Sequence, residues 1–127
     1  KGVFMDTKKF NSFGEALRES RRNSKKSIDE ITKAMGWKKA YLMDIELGRS
    51  SPPSKEKIIQ LCNILGIEES INAFLELSVK DKNKLILNIP KENDYEYTRT
   101  AAMLAREWDN ISIDKLKNIQ KILEGGE

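Results

Sequence analysis

Hydrophobic residues recur at intervals of three and four positions along most of the chain, and this spacing predicts α-helices. In the first such segment, Phe13 and Leu17 lie on one helical face, and Ser12 before them is a suitable N-cap. A second segment follows Ser27, where Ser-Ile-Asp-Glu has the pattern of a capping box, and it stops at Gly36. The folded part of the chain is therefore predicted to begin with two short helices.

Three further short helices are predicted before residue 78. The third spans residues 39–47, the fourth follows the cap residue Ser54 and stops at Gly66, and the fifth spans residues 68–77. The charged run at residues 80–84 is interpreted as a turn. Together with the first two, these segments predict a five-helix domain.

The last third of the chain has a different pattern. Residues 85–89, Leu-Ile-Leu-Asn-Ile, form the single strand-like run of the sequence, and Pro90 closes it. Because a lone strand cannot satisfy its own backbone, we expect it to need a partner strand, which a second chain could supply. Two helices are predicted after it, over residues 95–108 and 114–123, the latter capped near Ser112.

These patterns predict a mainly α fold and three parts of the chain. Residues 1–11 form an N-terminal tail, and residues 12–77 form the five-helix domain. Residues 78–127 form a C-terminal segment with one short strand and two helices.

Composition narrows the class of protein. Charged residues make up 34% of the chain and hydrophobic residues 39%, as in water-soluble globular proteins. No apolar run is long enough to span a bilayer, and residues 1–10 show no secretory signal. The single cysteine, Cys62, can form no internal disulfide, so we expect a cytoplasmic protein.

The sequence contains no histidine, which argues against most enzyme classes. Ser-His-Asp and Cys-His arrangements require that residue, and a zinc site would have to be built almost wholly from carboxylates. Neither of the glycine-rich phosphate motifs, GxxxxGK[ST] and GxGxxG, occurs in the chain. We therefore expect no catalytic residues, no metal and no cofactor.

Charge is distributed unevenly along the chain. Residues 1–67 contain 14 Lys and Arg against 8 Asp and Glu, a net charge of +6. Residues 68–127 contain 9 against 12, a net charge of −3. A basic first half is consistent with a polyanionic partner, although the same imbalance also arises as ordinary surface variation.

The second and third predicted helices, residues 27–35 and 39–47, are separated only by Gly36-Trp37-Lys38. Two short helices joined by a three- to four-residue turn that contains glycine form a helix-turn-helix unit. Glycine accepts the positive φ that ends the first helix, and the tight turn sets the second helix at a steep angle. The second helix can then enter a DNA major groove, which is about 12 Å wide, while the first lies across the phosphates.

Residues 12–67 also resemble the Xre, or phage Cro/repressor-like, family of helix-turn-helix regulators. The resemblance rests on these residues: Phe13-Gly-Glu-Ala-Leu-Arg, Gly36, Tyr41-Leu42, Ile45-Glu46-Leu47-Gly48-Arg49 with the prolines that follow, and Leu61…Leu65-Gly66-Ile67. It implies a DNA-binding transcriptional regulator, most often a repressor, of the kind found in prophages and mobile elements.

The resemblance also implies roles for individual residues. The base-contacting positions are Lys39, Ala40 and Asp44; Lys39 would donate to guanine and Asp44 would accept from cytosine. The phosphate-contacting positions are Lys38, Tyr41, Arg49 and Ser51. Arg21 and Glu46 occupy positions where related repressors have a structural salt bridge between helices.

The C-terminal segment is predicted to form a homodimer. One strand and two helices make a thin core, so pairing with a second copy would bury apolar faces that a single chain leaves open. A dimer would also place two recognition helices about 34 Å apart on a palindromic site. The residues assigned to this contact are Leu85, Leu87, Ile89, Trp108, Leu116 and Ile119.

The sequence leaves alternatives open beside a dimeric repressor on double-stranded DNA. The chain could be an antitoxin or protein-interaction module whose residues 78–127 neutralise a partner protein. A related variant is a repressor inactivated by a protease that cuts near residues 77–87. A third alternative is a scaffold that has lost DNA binding, suggested by Ile28 and Asp44 at DNA-facing positions.

Overall fold

The structure is a computed structural model, and it describes residues 10–92 and 94–125. Most of the predicted N-terminal tail, residues 1–9, lies outside the described residues, whereas Phe10 packs against the hydrophobic core. The α-helices of the described residues are α1 (Phe13–Ser24), α2 (Ile28–Met35), α3 (Lys39–Leu47), α4 (Lys55–Leu65), α5 (Ile71–Lys82), α6 (Asp94–Glu107) and α7 (Ile113–Leu123). Short 3-10 turns precede α5 at Glu68–Ser70 and follow α6 at Trp108–Asn110.

Serine side chains begin four of these helices, and the sequence predicted all four caps. The hydroxyls of Ser12, Ser27, Ser54 and Ser112 each accept a hydrogen bond from a backbone N–H in the first turn. At Ser27 the capping box is complete, because the Glu30 carboxylate also accepts from the Ser27 N–H at 2.8 Å. Local hydrogen bonding therefore accounts for where these helices start.

By packing, the chain divides into two compact units, which meet in sequence between Leu85 and Ile86. In the first unit, α1 contacts α3, α4 and α5, while α2 contacts α3 and α4. The side chains that close this core are Phe13, Ala16, Leu17, Ile31, Met35, Leu42, Ile45, Ile58, Leu61, Cys62, Leu65, Phe74 and Leu77. The helices of this unit are the five that the sequence predicted, and Phe13 and Leu17, which the spacing placed on one face of the first helix, are both buried.

Gly14 is required by the close approach of α1 to the end of α3. A Cβ atom at this position would overlap the carbonyl oxygen of Ile45 and lie 2.6 Å from the carbonyl oxygen of Glu46. Both obstacles are backbone atoms, which cannot rotate away as the end of a side chain can. The position of α3 on the domain thus depends on the absence of a side chain at residue 14.

The expected turn at residues 80–84 is wrong, because α5 continues to Lys82 and ends at Asn83 in a left-handed conformation. Tertiary hydrogen bonds hold the extra turn. The Asp81 carboxylate accepts from the Phe13 N–H at 2.9 Å, and the Lys82 ammonium donates to the Pro53 carbonyl at 3.3 Å. The charged residues at the end of α5 therefore tie it to the beginning of α1 and to the loop before α4.

The strand expected at residues 85–89 is not formed in the single chain. Residues 84–90 are exposed and have neither helical nor strand hydrogen bonding. No strand occurs anywhere in residues 10–92 and 94–125, so this segment has nothing to pair with inside the chain. The strand-like sequence has therefore formed no regular secondary structure without a partner strand.

The second unit contains α6 and α7 and has no buried side chain among its described residues. Leu104, Ile111, Leu116 and Ile119 are half-buried, and most of its other large apolar side chains are exposed. Expected helix boundaries shift slightly here, since Trp108 lies in the 3-10 turn after α6. The unit has helices with apolar faces and no closed core of its own.

Within the described ranges, no helix is both long enough and apolar enough to cross a membrane.

Candidate nucleic-acid interface

The α2–turn–α3 unit has the geometry that the sequence predicted. Gly36 ends α2 with φ +73°, and the Trp37 N–H donates to the Thr32 carbonyl at 2.9 Å. Lys38 then returns to extended backbone, with φ −81° and ψ 149°, and α3 begins at Lys39. The Gly36 N–H also donates to the Lys33 carbonyl at 3.3 Å, so two backbone hydrogen bonds close the end of α2 before the turn.

The two faces of α3 have different roles. Leu42 and Ile45 are fully buried and attach the helix to α1 and α2. Ala40 and Met43 are exposed on the opposite face, together with Lys39 near its edge. The core thus holds α3 by one side and leaves the other side open along its whole length.

Lys39, a predicted base-contacting residue, is paired with a residue that sequence reasoning did not select. Its ammonium lies 2.8 Å from the Asp29 carboxylate at the start of α2, and both side chains are exposed. An exposed ion pair stabilises a protein by at most about 1 kcal/mol, so a phosphate or a base can replace Asp29 at little cost. The only sequence signal for this contact was the acidic first turn of the capped helix.

Asp44, the predicted cytosine acceptor, lies 3.9 Å from the guanidinium of Arg49, a predicted phosphate contact. Backbone hydrogen bonds hold the two residues near each other, since the N–H groups of Arg49 and Ser50 both donate to the Asp44 carbonyl. Opposite charges side by side reduce the repulsion that a lone carboxylate would exert on a phosphate. The structure therefore brings Asp44 and Arg49 together at the C-terminal end of α3.

The remaining predicted contacts surround the same helix. Lys38 and Ser51 are exposed at the two ends of α3, in the turn before it and the loop after it. The Tyr41 ring packs edge-on against Trp37 with centroids 4.9 Å apart, which leaves Tyr41 partly exposed. Trp37 also packs against the core, as expected for an aromatic residue in a tight turn.

Arg21 and Glu46 form a two-point ion pair between α1 and α3. The Arg21 Nε donates to Glu46 Oε2 at 2.7 Å, and its Nη2 donates to Oε1 at 3.0 Å. The side chains are only 15% and 6% exposed, and the hydrogen bond to Glu46 raises the pKa of Arg21. This pair orients the C-terminal half of α3 relative to α1.

Ile28 does not present its side chain as part of an open DNA-facing surface. The sequence predicted a DNA-facing position for this residue, whereas its side chain packs against the hydrophobic core. This residue contributes to the position of α2 instead of to an exposed polar surface.

These features define a helix-turn-helix domain in the first unit. Residues 12–70 match the model of a protein family described as a helix-turn-helix domain, which supports a helix-turn-helix family for this part of the chain. Such a domain suggests DNA binding and a role in the regulation of transcription. Searches of curated proteins and of solved structures found no match to the chain.

Proposed function

We propose that the protein is a sequence-specific regulator of transcription that binds double-stranded DNA, and that it acts as a dimeric repressor. The observation that carries this proposal is the open face of α3, which presents Ala40 between Lys39 and Asp44 on a helix-turn-helix unit. A helix fixed by its buried side and open on the other fits the major groove.

The proposed recognition uses donors and acceptors on one helix. Lys39 would exchange Asp29 for guanine O6 and N7, and Asp44 would accept from cytosine N4. Lys38, Tyr41, Arg49 and Ser51 would contact phosphates on either side and set the register of the helix. Breaking the exposed ion pair between Lys39 and Asp29 costs little free energy, so this pair would not oppose DNA binding.

The proposed dimer would double the number of bases contacted. Two copies related by a two-fold axis would place two α3 helices about 34 Å apart, one in each half of a palindromic operator. The exposed apolar side chains of the second unit support a contact there, and the exposed residues 85–89, which have no regular secondary structure, would pair as a strand with a second copy. A dimer bound over a promoter would block polymerase sterically.

The first test compares labelled DNA from upstream of the protein's own gene with a scrambled sequence of equal length, over a series of salt concentrations. We expect specific binding to be at least about 10³ times tighter than non-specific binding. The logarithm of affinity should fall with the logarithm of salt by about 0.9 per phosphate contacted. Absence of binding to any duplex at low salt would reject the DNA-binding proposal.

Substitution of two lysines, one at a time, distinguishes a functional recognition helix from a scaffold that has lost DNA binding. Lys39→Met removes the ammonium beside Asp29, and Lys117→Met removes an exposed ammonium of α7 as a matched control. We expect Lys39→Met to weaken specific binding by about 1–3 kcal/mol and Lys117→Met to leave it unchanged. Equal affinities for the two variants would favour the scaffold.

A second candidate function rests on the second unit, in which no described side chain is buried. An antitoxin or protein-interaction module would cover these residues with a different protein instead of a second copy. Sedimentation of the full chain at micromolar concentration distinguishes the two, since a repressor should be dimeric without any partner. A monomer whose second unit orders only with another protein would favour the antitoxin.

Proteolytic control, with a cut near residues 77–87, is a variant of the repressor proposal. Residues 77–82 lie in α5, whereas residues 84–87 are exposed and have no regular secondary structure, which is the local state that proteases cleave. A cut there would separate the helix-turn-helix domain from the second unit. Limited proteolysis should therefore produce a stable N-terminal fragment, and uniform resistance of this segment would contradict the idea.

A further inference from the structure

Exposed large apolar side chains have a specific location in the first unit. Among its described residues before Leu85, the large hydrophobic side chains that are exposed are Tyr41, Met43 and Leu47, all on α3. The other helices of the unit bury theirs or leave them half-buried. Apolar surface concentrated on one helix of an otherwise closed domain indicates a contact surface.

Met43 and Leu47 form an apolar strip with Ala40. The three residues follow the spacing i, i+3, i+7, which places them along one side of the helix. Met43 is 46% exposed and Leu47 is 52% exposed, so neither side chain supports the core. The strip runs between the two predicted hydrogen-bonding residues of the interface.

The surroundings of the strip indicate which partner it fits. Lys38 and Lys39 lie at its beginning and Arg49 lies beyond its end, all three exposed. Lys39 is paired with Asp29 and Arg49 lies near Asp44, in exposed ion pairs that phosphates can replace at little cost. An apolar strip with cations at both ends matches the DNA major groove, whose walls are phosphates and whose floor carries the 5-methyl groups of thymine. The methyl group is the single apolar feature by which a base edge is distinguished there.

We propose that Met43, with Ala40 and Leu47, contacts thymine 5-methyl groups and so favours thymine over other bases within each half-site. This inference rests on the proposed DNA-binding function and adds specificity residues to it. Asp44 and Lys39 would then select cytosine and guanine, while the strip between them selects thymine. Each helix would combine polar and apolar recognition along a few adjacent base pairs.

The test begins with selection of a tight site from random duplexes by the full chain. Each thymine of the selected site is then replaced by uracil, which removes one methyl group and keeps the base pair. At the thymine facing Met43, the substitution should weaken binding of the unmodified protein by about fourfold, the effect of one buried methyl group. Thymines outside the contact should show no change.

Two variants make the assignment specific. In Met43→Ala the uracil substitution should have no further effect, whereas Asn72→Ala on α5 should keep the fourfold response. The Asn72 side chain is exposed and lies neither on α3 nor in the second unit, so it is part of neither proposed contact. Neither change affects the core, and thermal unfolding of each variant verifies that it is folded.

The outcomes separate this inference from the function on which it rests. Failure to select any site would reject DNA binding, and the thymine contact with it. A selected site that lacks thymine, or an equal uracil response in Met43→Ala and the unmodified protein, would overturn the methyl contact and leave DNA binding intact. Loss of the uracil response in Met43→Ala alone supports the inference.

Discussion

The two units differ in what covers their apolar side chains. The buried hydrophobic side chains of the described residues all lie between Phe13 and Leu77, so every one belongs to the first unit. The second unit has two helices of ordinary length, yet Trp108, Ile113 and Leu123 are all more than half exposed. Similar helical patterns have therefore produced a closed core in one unit and open faces in the other.

The contrast shows that an amphipathic helix needs a suitable number of neighbours as well as an apolar face. Five helices can surround a common centre, whereas two helices leave one side of each open. The described side chains of the second unit therefore contribute less apolar burial to stability than those of the first unit. The predictions below test this difference, first through apolar burial and then through sterics, charge and thiol chemistry.

The largest effect is expected from a matched pair of leucines. Leu61 is 2% exposed in the first unit, and Leu87 is 62% exposed in the second. We expect Leu61→Ala to lower the free energy of unfolding by about 3–4 kcal/mol, because it leaves a cavity. Leu87→Ala should cost less than about 0.5 kcal/mol in the monomer.

Urea denaturation at several protein concentrations measures both leucine variants. If a second copy covers Leu87, its substitution should instead reduce stability more at high concentration than at low concentration. Equal losses for Leu61→Ala and Leu87→Ala at every concentration would contradict the contrast between the units.

The close packing of α1 on α3 predicts the next effect. Gly14→Ala would drive a Cβ into two backbone carbonyls, and we expect a loss of about 2–3 kcal/mol despite the better helix propensity of alanine. Gly66→Ala is the reference, since its Cβ would meet open space and the cost comes from φ +72° alone. In thermal unfolding, Gly14→Ala should have a lower melting temperature than Gly66→Ala. The reverse order would show that α1 and α3 can move apart to accept the extra methyl group.

Each unit contains an ion pair of nearly the same length, but the two pairs differ in how exposed they are. Arg21–Glu46 spans 2.7 Å and is almost buried, whereas Arg106–Glu107 spans 2.8 Å with side chains 69% and 56% exposed. We expect Glu46→Gln to cost about 2 kcal/mol, since a charged hydrogen bond is weakened at a protected site. Glu107→Gln should change stability by less than about 0.5 kcal/mol. Chemical denaturation at low and high salt measures the stability of both variants. Equal losses of stability for Glu46→Gln and Glu107→Gln would refute this contrast.

The smallest effect at neutral pH concerns the buried thiol of the first unit, whose contribution changes only in alkaline solution. Burial raises the pKa of Cys62 from 9.0 to about 12, so the folded chain keeps the thiol proton where the unfolded chain loses it. The free energy of unfolding is therefore unaffected by Cys62 ionisation below pH 9, and it decreases between pH 9 and 12 as the unfolded chain loses the thiol proton. Cys62→Ala should remove that part of the alkaline dependence, which pH-dependent unfolding measures.

Thiol labelling gives a second measurement of the same contrast. Native Cys62 should react slowly with iodoacetamide at pH 8, because the thiolate is the reactive form. A cysteine placed at the exposed position Ala105 of α6, in the Cys62→Ala background, should react as fast as a free thiol. Rapid labelling of native Cys62 would mean that the core opens readily.

Much of the first unit could be predicted from sequence because its signals are local. The serine caps, the glycine after α2 and the helical spacing each act within a few residues, so helices 28–35 and 39–47 were placed correctly. Phe13 and Leu17 were assigned to the core on the same grounds and are buried. The position of Arg21 opposite Glu46 came from the family resemblance, because spacing alone does not link residues on different helices.

What the tertiary structure decided depends on residues that are distant in sequence. The Asp81 carboxylate at the N-terminus of α1, the Asp29 partner of Lys39 and the backbone carbonyls that exclude a side chain at Gly14 have no local signal. The strand-like pattern at residues 85–89 describes a preference that only a partner can satisfy, and the single chain has none in its described residues. Sequence by itself determined where helices form and which faces are apolar, since these follow from short-range hydrogen bonding and periodicity. Only the fold decided which faces are covered, because burial requires other surfaces to be brought into contact.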